Sequence, residues 1–522
     1  VPARVLVNPN DLAERVDGVD AKPYVTETLC LGFPTQTIAA RHRVLTQPAR
    51  ECQGSRVGAT LLGPACRPGY VLGACVCNAL NALVNRHGVE PPAPVRAWNH
   101  ALAYWDACIS ARPWLDVPLD PDVSDWWMKR WPGGKQKAIL SSQQRDDIMP
   151  DRLSFMVKRE VYHQVPTKAR LIQYYPNLAT QAEHGPAFVV LQKAVFGWAP
   201  GYTYRGIRVT FGSGLDSGGL GRWMSEVHHR FRRPRFIERD GKNWDATMQR
   251  FHHNLKLRIY RAFDPRMAEF VDRGFTATAT GGFGDTVLRY RLDGTVKSGH
   301  NDTTLGNSII NASIAIEVLA ELGIAAEVIV VGDDLLVAVE GGTDLSRVLA
   351  MEAEFGIKPE GRVFDSYLDV SFISGCWLRG GDGFIFAPKL GRLLARLWWT
   401  CSPPSRRREA EYRRGVVLGL RAAVGDVPLY SDFLVCDEGA VAPLPRDYHM
   451  WVANFGGAAP NSATADDLCA KYHLTPSELD ELGKYLRGLG STKCLFQHPL
   501  AERVCDVDLA DVLARPIAAG AG

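Results

Sequence analysis

Two adjacent aspartates, Asp333 and Asp334, follow Gly332 between two apolar runs rich in β-branched residues, 326–331 and 335–339. Such runs favour strands, and a glycine beside two aspartates supplies a tight turn, so this stretch is expected to form a hairpin with two carboxylates at its tip. Like charges so close repel each other unless a cation offsets them, and hard oxygen donors suit Mg²⁺ or Mn²⁺. An ordinary acidic turn satisfies the same pattern, so the tripeptide alone marks only a candidate metal site.

The 522 residues, 46% of them hydrophobic, suffice for several subdomains with substantial cores. Lys plus Arg total 60 against 57 Asp plus Glu, and a net charge of +3 is too small to mark a polyanion-binding protein by itself. Local basic clusters at 230–235 and 406–408, with Arg413 and Arg414, carry more information. The longest apolar region, 309–331, contains Glu317, Glu321 and Glu327, which are costly in lipid, so no transmembrane segment is expected. The chain opens on Val1 without a charged-then-apolar leader, which suggests a processed or trimmed product. Twelve cysteines without a Cys-x-x-Cys pair fit the reduced thiols of an intracellular protein, with Cys66, Cys75 and Cys77 as an alternative zinc set.

Residues 1 to about 92 show little periodicity and read as an irregular extension packed on another domain. Spacing predicts a helix over 94–111, strands over 153–157 and 169–173 with a turn near Pro166, and helices over 178–196 and 218–231. From 236 to 389 the pattern runs strand, helix, hairpin, helix, hairpin, helix, hairpin. Beyond Leu390 it becomes mainly helical, with candidates at 405–423, 463–472 and 476–488.

Asp240 and Asp245 lie where a short strand turns into the helix carrying Met248, Phe251, Leu255 and Ile259. A two-metal phosphoryl-transfer site needs carboxylates from more than one strand, because ions about 3.5–4 Å apart must be neutralised from several directions. Asp240 is the candidate bridge, whereas Asp245 also suits a plain helix start. Between these acids and the hairpin, the glycine-containing loop at Ser298 and Gly299 feeds a helix. Thr303 and Asn307, one turn apart on that helix, share a side and can hydrogen-bond a sugar hydroxyl, although capping alone also explains Thr303.

Asp240-x4-Asp245, Ser298-Gly299-x3-Thr303-x3-Asn307 and Gly332-Asp333-Asp334, in that order, resemble motifs A, B and C of the RNA-dependent RNA polymerases of positive-strand RNA viruses. Phe155 to Glu160 with Lys168 to Ile172 looks like motif F, and Trp131 to Lys135 resembles the segment before it in tombusvirus-like and nodavirus-like enzymes. Leu345 to Lys358 is similar to the motif D helix and its lysine, and Phe372 to Trp377 to the motif E hairpin. The resemblance covers roughly 130–390. One departure is the charged approach Glu238-Arg239 to Asp240, where Arg239 is expected to point outward or to pair with Glu238. The motif order is unpermuted, and no helicase-like or methyltransferase-like region accompanies it.

The resemblance implies an α+β right-hand fold: fingers, a palm of antiparallel sheet with helices, and a mainly helical thumb. The expected division is an N-terminal extension with fingertips over 1–110, fingers over 111–234, palm over 235–261, a fingers insertion over 262–296, palm over 297–390, and thumb with tail over 391–522. It implies template-directed RNA synthesis with two Mg²⁺ or Mn²⁺ ions held by Asp240, Asp333 and Asp334. Asp245, Thr303 and Asn307 would read the ribose, Ser298 and Gly299 would form a mobile loop beside the nascent base pair, and Lys158, Lys168 and Arg170 would bind triphosphate. Lys358 would donate a proton to pyrophosphate, and the arginines near 406 and 413 would line the duplex exit. Expected partners are template and nascent RNA, rNTPs, and other viral replication proteins or capsid. The expected setting is the host cytoplasm, at membrane-associated replication complexes reached through other segments or partners, or the virion. An initiation platform is sought within 425–460 or the C-terminal tail. A reverse transcriptase is the nearest enzymatic rival, and an inactive polymerase-fold RNA-binding scaffold is the alternative of a different class.

Overall fold

The computed structural model describes residues 37–40, 56–83, 91–117, 136, 148–162, 169–283, 286–435, 439 and 458–513. Its centre is a six-stranded sheet in the order Pro359–Phe364, Pro234–Gly241, Asp334–Glu340, Ala326–Val331, Ile207–Phe211, Thr203–Tyr204. Neighbours run antiparallel except Ala326–Val331 beside Ile207–Phe211, which is parallel. The expected hairpin is present, closed by the pairing of Val331 with Asp334.

Period-two alternation sends one set of side chains to each face of this sheet. Ile237, Val328, Val330, Leu335 and Val337 join the main core with the helix Thr303–Glu321. Phe236, Ile329, Leu336 and Ala338 pack instead with the helix Ser217–Arg230 and Trp377. The Thr303–Glu321 helix is buried from Leu305 to Ala320, mostly through apolar side chains, with Asn307, Ser308, Asn311, Ser313 and Glu317 as buried polar exceptions. That burial accounts for the long apolar run, and among the described residues no helix is long and apolar enough to cross a membrane.

A second sheet of five strands, Thr37–Ala40, Thr286–Asp293, Thr276–Phe283, Arg152–Val157 and Leu171–Tyr174, lies beside the first. The C-terminal helices Leu390–Arg396, Glu409–Val424, Ser462–Tyr472, Pro476–Leu489 and Pro499–Leu513 share a separate core with Leu62 and Cys66 of the N-terminal part. The fold is thus mixed α+β. Cys75 caps the helix Val76–Ala82 while Cys66 lies against Cys505, so these two members of the zinc set have separate surroundings. The Cys77 side chain lies outside the described residues.

Several boundaries differ from expectation. The first expected helix starts only at His100; before it, the Pro92 carbonyl accepts from Gln249 Nε2 and the Val95 N–H donates to the Glu354 carbonyl. The stretch 178–196 forms two helices, Leu178–Glu183 and Gly185–Trp198, with Pro186 opening the second. Between the motif D-like helix, which spans only Val348–Ala353, and the last hairpin runs the additional edge strand Pro359–Phe364. The turn near Pro166 and the segment 131–135 lie outside the described residues.

Candidate active site

Gly332 takes a positive φ of 62°, the left-handed conformation that glycine adopts without strain. The buried helix holds the turn: Gly332 N–H donates to Ser308 Oγ at 2.8 Å, and Asn311 Nδ2 donates to the carbonyls of Gly332 and Asp333 at 3.0 and 2.9 Å. Asp240 ends the adjacent strand, one residue past the Arg239–Leu335 pair, and faces Glu360 on its other side. Strand geometry therefore brings the three acids expected to bind metal to one end of the sheet.

The cluster is electrostatically uncomfortable. Burial, then Asp333, Asp240 and Glu238, push the Asp334 carboxyl up to about 7, with Arg392 opposing. Burial, then Asp333 and Glu360, raise Asp240, opposed by Arg239 and the Gly241 N–H. Asp240 and Asp333 each keep part of their surface open to solvent, although neighbouring atoms crowd the Asp240 carboxylate, whereas Asp334 is half-buried. Mutually repelling carboxylate oxygens in an accessible recess suit a hard divalent cation. Among the described residues, however, no three His, Cys, Asp or Glu side chains are gathered into a ready-made metal cage.

A cleft of ≈ 260 Å³ brings Asp240 and Asp333 together with Arg170, Lys242, Asp245 and Glu360. A second cavity of ≈ 170 Å³ places Asp240 and Asp334 with Ser374, Lys389 and Arg392. Asp245 Oδ1 accepts from Asn307 Nδ2 at 3.3 Å, and the Asn307 Oδ1 is buried without a hydrogen-bond partner among the described residues. An orphaned acceptor beside the acid is a vacant position for a donor. The Thr303 hydroxyl instead bonds the loop carbonyls of Lys297 and His300 at 2.7 and 2.8 Å.

The loop preceding that helix lies against the second sheet. Ser298 Oγ accepts from Gln173 N–H at 3.2 Å, and a Cβ on Gly299 would stand 2.1 Å from the Gln173 carbonyl oxygen, so only glycine fits there without movement. Lys158 and Arg170 flank Glu160 at 2.9 and 3.5 Å. Burial pushes Glu160 up, but Tyr162 and the two cations outweigh it and hold the carboxyl below its usual range. Lys168 lies outside the described residues. Lys358 is half-buried, its carbonyl accepts from Lys242 N–H at 3.0 Å, and it does not line the cleft. Arg413 donates to the carbonyls of Leu62 and Ser491, a structural use rather than a free basic surface.

Arg239 departs from both expectations. It is 1% exposed, it lies 3.1 Å from Glu352, and Glu238 instead accepts from Ser371 N–H at 2.9 Å. Sequence reasoning also missed Ser308 and Asn311. The signal was available for Asn311, since Thr303, Asn307 and Asn311 extend one polar stripe at four-residue spacing along an apolar helix.

Residues 206–361 match the family model described as viral RNA dependent RNA polymerase. This segment is what ties the chain to that family. It contains Asp240, Asp245, the loop at Ser298 and Gly299, Thr303, Asn307, Asp333, Asp334 and Lys358, whereas Lys158 and Arg170 lie before it. The chain is similar to the RNA-directed RNA polymerase of Pothos latent virus (isolate Pigeonpea/India), 28% identical over 141 residues, covering 26% of this chain and 19% of that protein. It is also similar to the RNA-directed RNA polymerase of Turnip crinkle virus, 26% identical over 262 residues, covering 47% of this chain and 33% of that protein. The matched stretches thus span a third or less of these relatives' own lengths. The family resemblance read from the motifs is borne out.

Proposed function

We propose that this chain is a viral RNA-directed RNA polymerase that copies an RNA template from rNTPs, built as a right hand around the central sheet. The observation carrying this reading is the meeting of Asp240 and Asp333 with Asp245, which holds Asn307, at one cleft within the segment that matches the family. Asp240, Asp333 and Asp334 would hold two Mg²⁺ or Mn²⁺ ions, which when bound favour the primer alkoxide and neutralise the departing pyrophosphate.

The chain's own groups position the substrate. Arg170, with its planar fork at the cleft wall, and Lys158 take triphosphate oxygens, exchanging Glu160 for phosphate. Asp245 accepts and Asn307 orients a ribose 2′-hydroxyl, which only a ribonucleotide offers. Ser298 and Gly299 would lie beside the base pair being formed, whereas Lys358, whose side chain does not line the cleft, is given no role in proton transfer. Partners on this reading are template and product RNA and rNTPs, in the cytoplasm of an infected host cell or within the virion. The sought platform at 425–460 lies largely outside the described residues.

Substrate choice tests the reading. Asp245→Ala and Asn307→Ala are expected to narrow discrimination between rNTP and dNTP by at least about tenfold, because a lost hydrogen bond to the hydroxyl removes the basis for choosing. Discrimination unchanged in both variants would overturn the ribose assignment.

A further inference from the structure

Arg239 is a full cation buried directly beside Asp240, on the strand face opposite it. Its Nε lies 3.1 Å from Glu352 Oε2, its Nη2 donates to Asn311 Oδ1, and its guanidinium lies 5.2 Å from the Trp244 ring centroid. Glu352 and Asn311 are as buried as Arg239 itself. Asn311 in turn donates to the carbonyls of Gly332 and Asp333. A continuous path therefore links Glu352, Arg239, Asn311 and the turn that carries Asp333.

A side-chain amide has an accepting and a donating end, and nothing intrinsic fixes which way it points. Here the Arg239 N–H claims Asn311 Oδ1, which leaves Nδ2 facing the two turn carbonyls. Were the amide reversed, oxygen would face oxygen. Burying a guanidinium is costly, and an ion pair alone does not explain it, since an apolar pair of similar volume is often at least as stable.

Building on the polymerase reading, we propose that Arg239 is a positioning residue that, through Asn311, fixes the orientation of the Gly332–Asp333 turn relative to Asp240. It touches no substrate. Its backbone carries Asp240 and its side chain locks the opposing turn, so one residue sets the separation of the two acids. Glu352 balances the charge and ties the helix Val348–Ala353 to the same point.

The test separates positioning from stability. Arg239→Met alone strands Glu352 and is expected to lower the unfolding midpoint, whereas Arg239→Met/Glu352→Met removes both charges and restores it. In the double variant kcat for rNTP incorporation on an RNA template is expected to fall at least about tenfold, with KM for rNTP within about twofold, since misplacement of reacting groups acts on the chemical step. Arg239→Lys, which keeps the charge but cannot reach Glu352 and Asn311 together, is expected to share that kcat loss. Wild-type kcat in the folded double variant, or in Arg239→Lys if the double variant does not fold, overturns the inference and leaves the polymerase reading standing. Absence of synthesis by the wild-type chain would instead strike that reading.

Discussion

Glu317 offers a direct test of how the interior around the site is held. Its carboxylate, 2% exposed near the end of the Thr303–Glu321 helix, accepts the N–H groups of Asn99, His100 and Ala101 at 2.8–3.1 Å. These donors open the helix His100–Ala111, and Asn99 provides no side-chain cap of its own. A carboxylate from another helix therefore satisfies orphan donors and complements the positive helix end. Glu317→Ala leaves three of them unpaired. At about 1–3 kcal/mol per buried orphan, with the Ala101 N–H enclosed and those of Asn99 and His100 nearer solvent and readily met by water, the expected cost is about 2–5 kcal/mol. Glu317→Gln keeps one oxygen but turns an amide N–H toward a donor, and about 2–3 kcal/mol is expected. Glu321→Ala serves as control, because its partly exposed pair with Arg96 is worth about 0–1 kcal/mol. Urea unfolding followed by tryptophan fluorescence reads the difference, since Trp105 in the capped helix donates to Ser313 of the capping helix at 2.7 Å. Equal destabilisation by Glu317→Ala and Glu321→Ala would refute the capping account.

Three further outcomes follow from the same structure. Asp333→Asn should abolish RNA synthesis while raising the thermal midpoint of metal-free protein, because it removes repulsion on Asp240 and Asp334; a lower midpoint contradicts this. Gly299→Ala should slow elongation and lower the midpoint, since its Cβ would meet the Gln173 carbonyl at 2.1 Å, and wild-type behaviour would show that the loop yields freely. Lys297 is buried and its ammonium is pushed down to about 7, first by burial and then by Lys256. Between that value and the ordinary lysine range the unfolded chain binds the extra proton, so stability rises with pH by up to about 1.4 kcal/mol per unit in that window. Lys297→Met should lose this slope, and identical pH profiles for the two proteins would show that the buried ammonium stays charged.

The hairpin was legible because its signal is local: alternating apolar residues on both sides of a turn that needs glycine at Gly332. The Asp245–Asn307 contact was legible because helical spacing and motif order both place those residues near the acids. Arg239 was misjudged because its partners, Glu352 and Asn311, lie far away in sequence, and no local pattern reports a buried cation. The strand Pro359–Phe364 was missed because an edge strand with no buried residue lacks the apolar alternation that marks central strands. The three glutamates of the apolar run excluded a membrane span, but only the fold reveals that Glu317 and Glu327 are buried for different reasons. One caps a helix, and the other pairs with Arg208 and Arg230.

Asp240 and Asp333 are proposed as the working end of an RNA-copying site. The most direct test is incorporation of labelled rNTPs by the purified chain on a defined RNA template with Mg²⁺ or Mn²⁺, beside Asp240→Ala and Asp333→Ala. A template-complementary RNA product is expected from the wild type and none from either variant. A chain that binds RNA yet incorporates nothing across templates and metals, or a variant that still synthesises RNA, would contradict it.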